Sequence, residues 1–100
     1  SKKKILEELS FWEIKDSLIS TPLKYLSAGE RKKTALANIF LSPTPLILLD
    51  EPTANLDNLS KKKLINKITN LLQSKSPCAM IIASHDKFSF NSLNTKILQL

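Results

Sequence analysis

Apolar residues at Ile5, Leu6, Leu9, Trp12 and Ile14 recur at a spacing that predicts a helix over Ile5–Leu18 with one buried face. Thr21-Pro22 closes it, because a residue before proline avoids the helical region. A second helix opens at Ser27, where Ser27 and Glu30 have the S-x-x-E spacing of a capping box. It carries the apolar stripe Ala35, Leu36, Ile39 and Phe40 and stops at Ser42-Pro43-Thr44-Pro45. Leu46–Leu49 and Ala79–Ala83 are short aliphatic runs without alternation, which predicts strands buried on both faces. Between them, Leu64, Ile65, Ile68, Leu71 and Leu72 form one face of a helix predicted over Leu59–Gln73. A last run, Lys96–Leu100, reads as an edge strand.

Strand, helix, strand implies a crossover connection and a parallel pair, hence an α/β fold. Two buried parallel strands do not make a stable sheet alone, so further strands are expected from elsewhere. In a parallel sheet, ligands bind beyond the carboxyl ends of the strands. Asp50 and Glu51 follow the first strand and His85 follows the second, so adjacent strands would bring all three to one crevice. One carboxylate there can hold Mg²⁺, largely through water. The other can orient and deprotonate a water, and a neutral histidine can hydrogen-bond a phosphate oxygen. Together these are the water-activating parts of a phosphoryl-transfer site. Ser27-Ala28-Gly29 adds a helix N-terminus able to bind an anion. Gly29, the only glycine, lets a phosphate approach the backbone; an ordinary capped helix is the competing reading.

Composition narrows the classes. A 42% apolar fraction over 100 residues belongs to a globular chain, not a disordered one. The net charge of +6 comes almost wholly from lysine, Arg31 being the one arginine. The clusters Lys2–Lys4, Lys32–Lys33 and Lys61–Lys63 lack interleaved aromatics and read as solvated faces, so no nucleic-acid partner is expected. Cys78 stands alone beside a predicted buried strand and reads as an inert core thiol. Phe11 and Trp12, at helical spacing with Leu9 and Ile14, read as packing residues. No apolar run approaches the ~20 residues of a membrane span. The basic N-terminus runs into Glu7 and Glu8, unlike a signal peptide. Membrane association is therefore expected through a partner. Ser1 in place of Met suggests a processed product or an excised segment.

Four strings resemble one family in its own order. LSAGE at Leu26–Glu30 resembles the ABC signature LSGGQ, and LILLDE at Leu46–Glu51 the Walker B motif. EPTANLD at Glu51–Asp57 resembles the D-loop, and ASHD at Ala83–Asp86 the switch-histidine region. The chain is thus similar to the C-terminal half of an ABC transporter nucleotide-binding domain. That resemblance implies a partial P-loop NTPase fold, with residues 1–22 ending a helical subdomain and residues 23–100 forming the C-terminal part of the ATPase core. It implies ATP and Mg²⁺ as ligands and transport-coupled hydrolysis as the activity. Ser27 and Gly29, in the signature with Ala28 and Glu30, would contact the γ-phosphate of ATP on the opposite subunit. Asp50 would hold Mg²⁺ through water, Glu51 would be the general base, Asp57 would link the two sites, and His85 would contact the γ-phosphate in cis. Asp86 follows as a local, structural neighbour.

Two departures are small: Ala28 replaces a glycine and Glu30 a glutamine. The third is larger. The phosphate-binding pattern GxxxxGK[ST] needs two glycines and the chain has one; the Q-loop is missing as well. The resemblance therefore implies an assembly with a P-loop-bearing N-terminal half, a second ATPase subunit and a transmembrane subunit. Its expected location is peripheral, on the cytoplasmic or organellar matrix face of a membrane. Alone, the chain is expected not to hydrolyse ATP. SFW at Ser10–Trp12, PLKYLSAGE at Pro22–Glu30 and LSPTPLILLDEP at Leu41–Pro52 are most similar to the ATPase subunit of the cytochrome c maturation haem exporter. Another small exporter ATPase, or an inactive remnant that binds a partner ATPase, is the alternative.

Overall fold

The computed structural model describes residues 1–74 and 78–85. Asp86 and the predicted strand at 96–100 lie outside them.

Helix α1 (Lys2–Phe11) starts on Ser1, whose hydroxyl accepts the Lys4 N–H. It ends well before Leu18. Glu13 takes a left-handed backbone, φ 58°. The Ile14 N–H then donates to the Leu9 carbonyl at 2.9 Å and the Glu13 N–H to the Ser10 carbonyl at 3.0 Å. These are the two bonds of a Schellman helix end. Glycine usually fills the left-handed position; a glutamate there conceals the stop in the sequence. A short helix α2 (Asp16–Ile19) and a 3₁₀ turn (Leu23–Tyr25) lead to α3 (Ala28–Leu41).

The inward face of α1 also differs from expectation. Ile5 and Leu6 are exposed, while Glu8 and Trp12, one turn apart, are buried. The Trp12 indole N–H donates to Glu8 at 3.0 Å, and Lys67 pairs with the same carboxylate. Trp12 is a core residue, as expected, with Phe11 packed edge-on against it at 5.3 Å between centroids.

Helix α3 is capped as the sequence predicts. Ser27 Oγ accepts the Glu30 N–H at 3.1 Å, and Glu30 Oε1 accepts the Ser27 N–H at 2.8 Å. The buried positions are Leu36 and Ala37, with Ile39 and Phe40 packed beside them; Ala35 faces out. Strand β1 (Leu46–Asp50), helix α4 (Asn58–Gln73) and strand β2 (Ala79–Ala83) follow. The strands are parallel neighbours, with Leu46 opposite Ala79 and Asp50 opposite Ala83.

Burial along both strands alternates, which corrects the two-sided expectation. Ile47, Leu49, Met80 and Ile82 pack with Leu36, Leu64 and Ile68 into one core. Leu46, Leu48 and Ile81 on the other face are exposed. Among the described residues the helices cover one face only, so an unalternating sequence coexists with one-sided burial. Leu64 and Ile68 are fully buried, each worth about 1.5–3 kcal/mol, so packing rather than capping holds α4 in place.

Candidate functional site

The parallel pairing brings Glu51 and His85 together and leaves Asp50 at the same edge. Asp50 ends β1, Glu51 follows it, and Ser84-His85 leave β2 alongside. The Glu51 N–H extends the ladder by donating to the Ala83 carbonyl at 2.7 Å. The chain then turns so sharply that Glu51 has φ 48°, a conformation that costs a non-glycine residue about 1–3 kcal/mol. That turn aims the carboxylate at the end of β2. Glu51 Oε1 accepts the His85 backbone N–H at 3.1 Å and lies 3.4 Å from His85 Nε2. The Glu51 side chain is 37% exposed and that of His85 85% exposed, so both are open to solvent. A carboxylate has about four acceptor sites, which leaves room to take a proton from water.

Asp50 is exposed at the same edge. Among the described residues no cluster of three or more metal-ligating side chains occurs. A single carboxylate suits Mg²⁺ that arrives with a nucleotide, since that ion keeps waters and takes phosphate oxygens as its other ligands. Asp50 is a donor that fits a metal–nucleotide complex.

The signature residues form a second group. Within the capping box the Glu30 N–H and Ser27 N–H are satisfied. The N–H groups of Ala28 and Gly29 have no intrahelical acceptor and point out of the positive end of α3. Gly29 also has a steric duty that sequence reading missed. A Cβ there would stand 3.0 Å from the Asn55 carbonyl, so the signature loop rests on the loop after β1. Asn55 itself is left-handed, φ 66°, a conformation asparagine tolerates. A second unforeseen link joins the same segments: Lys32 Nζ donates to the Glu51 carbonyl at 3.0 Å. Lys32 belongs to a charge run, and nothing in that pattern marks it out.

Asp57 lies at the far end of this loop. Its carboxylate caps α4, accepting the Ser60 N–H at 2.8 Å. Hydrogen bonds from the Ser60 backbone and hydroxyl hold the carboxyl below its ordinary 3.8, and Lys33 and Lys63 add smaller pulls in the same direction. A depressed pKa means the stabilisation is complete above the unfolded value and is lost as pH falls through the folded one. The substitution Asp57→Asn would keep the cap without titrating. In melting curves taken from neutral pH into acid, wild type should therefore lose its advantage over this variant. A difference that stays constant across that range would rule the effect out.

The sequence profile of the ABC transporter family matches residues 2–54. The chain is 40% identical over 78 residues to the cytochrome c biogenesis ATP-binding export protein CcmA of Xanthomonas oryzae pv. oryzae, covering 78% of this chain and 36% of that protein. It is 39% identical over 85 residues to a putative ABC transporter ATP-binding protein of Caldanaerobacter subterraneus, covering 85% of this chain and 34% of that one. Among solved structures, the dimeric ABC transporter cassette MJ0796 superposes with a TM-score of 0.68 at 26% identity, over 84% of this chain and 36% of that one. The chain thus spans about a third of the length of these two relatives.

Proposed function

Since the chain belongs to the ABC transporter family, we propose that it forms the signature and Walker B segment of an ATP-hydrolysing subunit that energises transport across a membrane. One observation carries this reading: the Glu51 carboxylate, beside Asp50, is anchored to the end of the neighbouring strand by the His85 N–H at 3.1 Å. In this reading Glu51 accepts a proton from the attacking water. His85 hydrogen-bonds the γ-phosphate in cis, and Asp50 holds Mg²⁺, which when bound neutralises phosphate charge. Ser27 and the helix-terminal N–H groups of Ala28 and Gly29, with Glu30 fixing the cap, face the γ-phosphate of a second subunit's nucleotide. Asp57 joins the two sites, in addition to capping α4.

Residues 1–22 then end the helical subdomain and residues 23–100 form the C-terminal part of the core. The bare sheet face of Leu46, Leu48 and Ile81 supports a further polypeptide lying against it, and the reading assigns the phosphate-binding loop to that polypeptide. The remaining partners are a second ATPase subunit and a transmembrane subunit. No helix among the described residues is long and apolar enough to cross a membrane; in this reading the transmembrane subunit attaches the chain peripherally, on the cytoplasmic or matrix face. Similarity to an export protein of cytochrome c biogenesis favours haem as the cargo.

The test is phosphate release from MgATP, by this chain alone and after assembly with the P-loop-bearing part. Turnover is expected from the assembly and none from the chain. Hydrolysis by the chain alone removes the need for a separate P-loop. An assembly that binds ATP yet never hydrolyses it sinks the ATPase reading.

A further inference from the structure

Glu51 has a backbone that side-chain-bearing residues rarely adopt, φ 48°, and something must hold it there. Its N–H is fixed by the Ala83 carbonyl at 2.7 Å. Its carbonyl oxygen accepts two bonds, from the Ala54 N–H at 3.1 Å and from Lys32 Nζ at 3.0 Å. A carbonyl has two lone pairs, and both are engaged. The Ala54 bond is local and turns with the loop. The Lys32 bond comes from another element, 19 positions away on α3, and is partly buried. Lysine suits the place because its stem can lie along apolar surface while the ammonium reaches the oxygen.

We propose that Lys32 is a positioning residue for Glu51. It clamps the carbonyl of the residue that carries the base, and so fixes where the carboxylate points. This rests on the reading of Glu51 as the base. It also ties the base to the signature helix, since Lys32 stands two residues beyond Glu30 on α3. A displacement of α3 is therefore felt at Glu51 through this bond.

The experiment measures kcat and KM for ATP, with melting temperature, in the assembled ATPase. Lys32→Met keeps the stem and removes the donor. Its kcat should fall about tenfold or more, because misplacing a catalytic group by ~1 Å can cost up to 10²-fold, with KM and melting temperature held. Lys32→Arg, which restores a donor of similar reach, should recover most of the loss. Lys32→Gln, polar but too short, should behave like the methionine variant and provides a second reading if that variant folds poorly. A methionine variant with wild-type kcat overturns the proposal. So does one whose kcat and KM shift together, or an arginine variant no better than methionine. Glu51→Gln, run in parallel, separates the two ideas. If it retains turnover, the base assignment fails; if it is inactive while Lys32→Met is not, only the positioning role fails.

Discussion

Glu51→Gln in the assembled ATPase is expected to lower kcat by about 10²- to 10⁴-fold, the usual worth of a positioned general base, while nucleotide affinity stays within a few-fold. The two effects separate because the amide keeps most of what the carboxylate does structurally. Its oxygen can still accept the His85 N–H that Glu51 Oε1 now accepts. The main-chain bonds to Ala83, Ala54 and Lys32 do not involve the side chain at all. What glutamine lacks is the capacity to take a proton from water. Glu51→Ala makes a useful contrast, since it also releases the end of β2 and should disturb nucleotide binding as well. Phosphate release and equilibrium ATP binding on the same preparations decide the matter. A glutamine variant with near-normal turnover would falsify the role given to Glu51.

Much of this local geometry is legible in the sequence. Strand β2 falls where the aliphatic run predicts, and the capping box at Ser27 and Glu30 forms both its bonds. The meeting of Glu51 and His85, with Asp50 at the same strand edge, follows from two parallel strands that end together. Those features are local or topological, and residue type encodes them directly. The hidden features share another property: the residue type at each is one that usually does something else. A glutamate at position 13 occupies a glycine conformation, so the helix end goes unannounced. Lys32 looks like surface charge until a backbone carbonyl is found at its tip. One-sided burial of β1 and β2 is equally silent, because Leu48 and Ile81 are as apolar as their buried neighbours. Composition says that a strand can be buried, and only the surroundings say on which face.

Glu8 is the costliest residue of this hidden kind to remove, and its loss should act on stability rather than chemistry. It is 6% exposed, it accepts the Trp12 indole N–H at 3.0 Å, and it pairs with Lys67 across to α4. The two partners would respond differently to Glu8→Ala. The Lys67 side chain is 24% exposed, so its ammonium can turn back to water and forfeits little. Trp12 is 1% exposed, and its N–H would stay buried without an acceptor. An orphaned buried donor costs about 1–3 kcal/mol, and the lost side-chain packing adds to it, so Glu8→Ala should destabilise by about 2–4 kcal/mol. Glu8→Gln retains an acceptor for the indole and should cost about 1 kcal/mol. If Lys67 mattered more than Trp12, the order would change: Gln would be nearly as damaging as Ala, and Lys67→Met would relieve the Glu8→Ala defect. Denaturant midpoints for the three single variants and the Glu8→Ala/Lys67→Met double distinguish these outcomes. The geometry favours a large gap between Ala and Gln and little relief from the double, because the indole, not the ammonium, has nowhere else to go.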